Sequence, residues 1–238
     1  MALLVAHRIV RDAMTEQLIA GDSLPPEHVM LEKYEIGRGT LREALRLLEF
    51  EGVITLKPGP KGGPILTTPD ASHLASSLVL LMEVNKSPFR HVFEFRVGLE
   101  PMMCRLAASR INDVSLKELR ETITKMEENI DNQELHLEIN RRFHDIIAWS
   151  SGNTLFGYVT ESLLGIVDGS SVGVESSLVR RKATLKAHKR ILKAIENHDP
   201  DLAETHMREH LEDYIEFAEK RSPGFFNAVI PWDQALNY

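Results

Sequence analysis

Asn140 and His144 stand four residues apart, so on a helix they share one face. His188 and His210 lie further along, in two later segments of helical apolar spacing. If those segments form antiparallel neighbouring helices, both imidazoles face one cavity. Three neutral imidazoles suit a divalent transition metal such as Zn, Ni, Co or Mn, with the remaining ligands choosing among them. A satisfied polar core, or a metal-free pocket that holds a ligand directly, would use the same residues. His73, His91, His136, His198 and His206 have no evident partner and read as surface or capping residues. His206 and His210 form a competing i,i+4 pair, but His206 points away if His210 points inward.

Arg96 sits among Val92, Phe93, Val97 and Leu99. A lone arginine on an apolar helix is costly if buried without an anion. A small carboxylate effector held between the metal and Arg96 would satisfy both charges. An internal ion pair with Glu94 or Glu100 is the alternative.

A second constellation lies near the N-terminus. Arg38, Thr40, Arg42 and Arg46 fall off the stripe made by Leu41, Leu45 and Leu48. The guanidinium fork pairs bidentately with guanine or phosphate, so such a helix can read DNA. Gly59, Gly62 and Gly63 would let backbone amides approach phosphates, with Lys57 and Lys61 adding charge. Solvated arginines on an ordinary amphipathic helix are the plainer reading.

These residues need elements to hold them. Residues 5–20 read as a helix stopped by Gly21-Asp22. Leu24-Pro25-Pro26 opens a short second helix, since proline suits a first helical turn. A third helix spans about 38–50 and closes at Gly52. Val53–Leu56 and Ile65–Thr67 read as two short strands around a Pro/Gly-rich loop. From about residue 73 the spacing is helical almost throughout. Helices are expected near 73–84, 88–110, 115–130, 132–150, 154–167, 174–197 and 200–221.

The expected fold is therefore mainly α: a winged helix-turn-helix over 1–68, a linker at 69–72, an all-α helical-bundle effector domain over 73–222, and a tail over 223–238 without clear period.

Composition bounds the function. The apolar fraction of 43% and charged fraction of 26% are ordinary for a globular protein. No apolar run reaches the roughly 18 residues of a membrane span. The N-terminus lacks a basic leader and a small-residue cleavage site, so no signal peptide is expected. The single cysteine, Cys104, fits a reducing cytoplasm. The net charge of −7 does not itself point to nucleic acid, although residues 36–62 carry five Lys/Arg against three Asp/Glu.

The strings Gly21-Asp22-Ser23-Leu24-Pro25, Gly37-Arg38-Gly39-Thr40-Leu41-Arg42-Glu43-Ala44-Leu45 and Leu48-Glu49-Phe50-Glu51-Gly52-Val53-Ile54 resemble the GntR family of bacterial regulators. The resemblance implies that Arg38 and Arg42 contact DNA, that Thr40 assists, and that the wing tip near Lys61-Gly62-Gly63 reaches the minor groove. Two positions depart from the family pattern. Gly37 replaces the usual Ser or Thr at the helix start, and His28 replaces a common arginine and would contact phosphate more weakly.

The remainder resembles the FCD ligand-sensing domain of the FadR-like branch. It does so through Phe95–Pro101 with Leu106-Ala107-Ala108, Asn140–Ile147 with Ser151-Gly152-Asn153, and Ala187–Ile195 with Met207–Leu211. By that resemblance Asn140, His144, His188 and His210 hold a metal, Zn or Ni, and Arg96 lines an effector pocket. Related metal-binding proteins usually carry Asp where this chain has the poorer ligand Asn140.

The expected activity is that of a homodimeric repressor or activator. It would bind a double-stranded DNA operator and respond to a small organic acid. A metal-dependent enzyme using the three histidines is the alternative. It lacks an obvious general base, an HExxH motif or a phosphate-binding loop. A helical interaction adaptor would leave the Gly-rich wing and its arginines unexplained.

Overall fold

Val5, Ile9 and Ala13 recur every four positions, and their burial winds Ala2–Thr15 into helix α1. Helices α2 (Glu27–Tyr34) and α3 (Arg38–Phe50) follow, then strands β1 (Ile54–Lys57) and β2 (Gly63–Leu66). The computed structural model describes residues 1–59, 62–167, 177–221 and 224–234. The chain divides into two compact units, Met1–Asp70 and Ala71–Tyr238.

In the first unit, Leu41, Ala44, Leu45 and Leu48 of α3 pack on Val5, Ile9 and Ala13 of α1 and on Met30 and Tyr34 of α2. The strands pair antiparallel, with Ile54 opposite Leu66 and Lys57 opposite Gly63. Ile54 and Leu66 turn into the same core.

Helix α1 ends at Thr15, not at Gly21. Gln17 adopts a left-handed backbone (φ 57°), and the amides of Gln17 and Leu18 bond back to Met14 and Ala13. This is a Schellman closure without glycine. The same closure occurs at Glu35 (φ 54°) and His198 (φ 50°), where no glycine marks the helix end. Freed from the helix, Gly21–Leu24 lies along β2. Gly21 N donates to Leu66 O, Leu66 N to Asp22 O and Leu24 N to Pro64 O, at 2.8–2.9 Å. The wing thus gains a third extended segment, joined through a bridge between Ser23 and Ile65.

The second unit holds α4 (Ser72–Val84), α5 (Arg90–Arg110), α6 (Asp113–Glu128), α7 (Gln133–Ser150), α8 (Thr154–Val167), α9 (Leu178–Glu196) and α10 (Pro200–Arg221). Asn112, Asn132 and Ser177 cap α6, α7 and α9, each accepting from the amide three residues on. Helix α5 is central and packs against α7, α8, α9 and α10. Pro101 interrupts its hydrogen-bond ladder, because proline has no N–H for the carbonyl of Val97. Arg208 Nη1 of α10 donates to that oxygen instead, at 3.4 Å.

Residues 224–234 carry part of the core of the second unit. Phe225, Phe226 and Ile230 are buried against Phe89 and Phe93. Phe89 meets Phe225 and Phe93 meets Phe226 edge-on, with centroids 5.0 and 5.2 Å apart. Each buried ring contributes roughly 1.5–3 kcal/mol. Aperiodic spacing concealed this, because short 3-10 turns at Phe225–Asn227 and Trp232–Gln234 carry the aromatics.

Candidate functional site

The first unit presents one polar face. At about 100° per residue, Arg38, Arg42 and Arg46 fall along one side of α3, away from the Leu41 stripe. All three are exposed, and none pairs with a carboxylate among the described residues. Thr40 lies on the opposite flank and is half-buried; His28 is exposed on the first turn of α2. Gly37 caps α3 with extended backbone and no side-chain bond.

Arg42 and Arg46 share a groove with Pro26, Gly62 and Gly63. A Cβ at Gly62 would lie 2.1 Å from the carbonyl oxygen of Lys57, so the wing turn requires glycine there. Lys61 lies outside the described residues.

In the second unit, α7, α9 and α10 bring His144, His188 and His210 together. The three are 3%, 0% and 5% exposed. One ring nitrogen from each lies within 4.8 Å of the others. His188 Nε2 and His210 Nε2 are 3.2 Å apart. Two nitrogens on one tetrahedral zinc would stand about 3.3 Å apart. The ring of Phe143 stacks on His188 at 3.8 Å and fixes its plane.

His144 is oriented from behind. Glu100 Oε2 lies 2.7 Å from His144 Nδ1, and Arg96 Nε donates to Glu100 Oε1. Burial alone would raise the Glu100 carboxyl, but the charge of Arg96 and then the His144 contact hold it well below the usual carboxylate range. An ionised carboxylate only accepts, so His144 Nδ1–H donates to it. His144 Nε2 is then the ring atom turned to the other two histidines; it is buried with no hydrogen-bond partner among the described residues, and in a neutral ring it carries the lone pair a metal would need.

Burial drives the imidazoles of His188 and His210 well below their usual range, and neighbouring positive charge adds to the effect. They are therefore neutral and able to ligate. Neutral imidazoles, a free Nε2 and a carboxylate behind one ring form a donor set that fits a borderline divalent metal.

Asn140 is half-buried one turn before His144 on α7. Arg96 is 6% exposed and takes the internal ion pair with Glu100. The space beside Arg96 and Glu100, walled by Phe95, Leu99, Met103, Thr160 and Leu163, is a cavity of about 10 Å³. His206 turns away, contacting Arg190 and Glu209. His136 is not a surface residue: it is 2% exposed, and its Nδ1 has no hydrogen-bond partner among the described residues.

The position of Glu100 behind His144 escapes sequence reasoning. Its one signal is the i,i+4 spacing from Arg96, which says nothing about α7.

Two family models cover most of the chain. Residues 2–60 match the bacterial regulatory proteins of the gntR family, and residues 91–213 match the FCD domain. The chain belongs to the GntR family. Within it, the chain is 33% identical over 207 residues to the uncharacterized HTH-type transcriptional regulator YcbG of Bacillus subtilis (strain 168). That match covers 87% of this chain and 85% of YcbG. The HTH-type transcriptional repressor NanR of Edwardsiella tarda is 25% identical, over 80% of this chain and 75% of its own.

Among solved structures, a GntR protein of Streptococcus agalactiae superposes with a TM-score of 0.66 at 24% identity, covering 91% of this chain and all of that one. It shares the fold. The GntR match fits a winged helix-turn-helix joined to a helical FCD unit, and its members are transcription regulators rather than enzymes.

Proposed function

We propose that this GntR regulator is a homodimeric cytoplasmic repressor whose hold on a double-stranded operator changes when a small carboxylate effector binds beside a metal ion. The convergence of His144, His188 and His210, with Glu100 behind His144, carries the reading. Arg38 and Arg42 are assigned to operator contacts, with Thr40, Arg46 and His28 beside them. Lys61, Gly62 and Gly63 are assigned to the wing's approach to the backbone. Repression follows the naming of the NanR relatives. Two-fold symmetry would match a palindromic site.

His144, His188 and His210 would hold the metal, zinc or nickel, with Asn140 as a weaker fourth donor. The bound ion would supply a Lewis-acid position for one carboxylate oxygen. Arg96 keeps Glu100 ionised, and Glu100 keeps His144 Nε2 turned inward. A carboxylate arriving at Arg96 would compete with Glu100 for the guanidinium. The adjoining cavity, about 10 Å³, has room for about one water. Effector entry therefore requires the helices to open, and a ligand that favours the open form can shift the DNA-binding arrangement.

The test is a mobility-shift titration of the full chain on the DNA upstream of its own gene. Metal content is measured in the same preparation, and small carboxylates are screened. A folded, metal-bearing protein should shift that DNA at low salt, and one of the acids should alter the midpoint. Folded protein that leaves the DNA unshifted would defeat the regulator assignment for this operator. Protein without bound zinc or nickel after loading would defeat the metal assignment.

A further inference from the structure

The buried arginines of the helical unit differ in how they are satisfied. Arg96 has Glu100. Arg181 donates to the backbone oxygens of Ile130 and Asp131, which ties α9 to the turn before α7. Arg180 is 7% exposed and forms no ion pair among the described residues, although the charge of Asp213 acts on it from nearby. Its guanidinium has five N–H donors. Nη1 meets the backbone oxygen of Asp213 at a long 3.5 Å, and Nε is buried with no acceptor.

The rings of Tyr214 and Phe217 on α10 lie 4.9 and 5.4 Å from the guanidinium carbon. Such contacts offset only part of the cost of desolvating an ion. An arginine kept in this state is short of an anion.

Its position gives the shortfall a meaning. Arg180, Thr184 and His188 are each four residues apart, lie on one face of α9 and are buried. Across the helix interface its guanidinium lies against Tyr214, one helical turn after His210 on α10. Arg180 therefore stands two turns before His188 on α9 and beside the turn of α10 that follows His210.

The geometry points to Arg180 as the anion anchor of the helical unit, taking a carboxylate of a small organic anion in a bidentate pair within the interior that holds the histidines. This deepens the effector reading above and rests on it. It moves the carboxylate contact from Arg96, which already has an anion, to Arg180, which has no ion-pair partner among the described residues. A planar guanidinium is suited to this pairing, and a lysine would replace it only in part.

The test compares full-length wild type, R180M and R180K by thermal unfolding in sodium acetate against sodium chloride at equal ionic strength. Methionine keeps a similar length and removes the uncompensated charge. In chloride, R180M should melt at or above wild type. Acetate should raise the wild-type Tm by about 5 °C more than that of R180M, with R180K between them. The generic salt effect is common to all three chains.

An arginine that serves only packing gives the reverse: R180M melts lower or fails to fold, and acetate acts alike on wild type and R180K. That result overturns the assignment. Operator affinity is measured in the same acetate series. A wild-type Tm shift lost in R180M, with operator affinity unmoved by acetate, supports the anion site and counts against effector control of DNA binding.

Discussion

Glu100 Oε2 of α5 lies 2.7 Å from His144 Nδ1 of α7, and both side chains are buried. A carboxylate behind a ligating imidazole fixes its tautomer and raises its basicity. E100Q should therefore weaken zinc or nickel binding about 10–100-fold, read by competition with a chelating dye. E100A should in addition destabilise the fold by about 3–5 kcal/mol, because Arg96 is left buried without its partner. Unchanged metal affinity in a folded E100Q would remove Glu100 from the site.

Asn140 offers the complementary test. Its replacement by aspartate introduces an anionic oxygen one turn before His144. N140D should tighten divalent metal binding by about tenfold, roughly 1.4 kcal/mol. Calorimetric titration would show it. A weaker or unchanged affinity would mean that Asn140 does not face the metal.

On α3, Arg38 and Arg42 are exposed and without acidic partners among the described residues. The double variant R38A/R42A should lose operator binding while keeping its oligomeric state by light scattering. Each single change should cost about 1–3 kcal/mol if the arginine reads a base. If it meets phosphate, it should instead flatten the salt slope by about one. Retained binding in the double variant would show that α3 is not the reading helix.

His136 gives a pH dependence. Burial, aided by the charge of Arg181, lowers its pKa to about 4. The unfolded chain takes up this proton near pH 6.5, the native state only near pH 4. Between those values the unfolded state binds more protons, so stability falls as pH drops through the window and is level above it. The loss is about 1–3 kcal/mol. His188 and His210 shift in the same direction. Denaturant midpoints between pH 4 and 7.5 should decline toward acid, with a shallower slope in H136F. An identical slope in H136F would assign the effect to other groups.

Much of this molecule could be read from its residues, and the division has a physical basis. Helix α3 follows from the spacing of Leu41, Ala44, Leu45 and Leu48, because burial of one helix face imposes a period on sequence. The GntR and FCD strings named both units, and His144, His188 and His210 were recognisable as a set. The closure of α1 at Gln17 was hidden, since no glycine announces the left-handed backbone there, whereas the end of α9 at Asn197–His198 was read to within a residue.

Only the tertiary structure could show that Glu100 of α5 stands behind His144 of α7, that Arg96 is already satisfied, and that Arg180 is not. A sequence states which charges a chain carries. Which of them meet is decided when helices far apart in the chain pack together, and burial then makes each pairing or its absence count in energy.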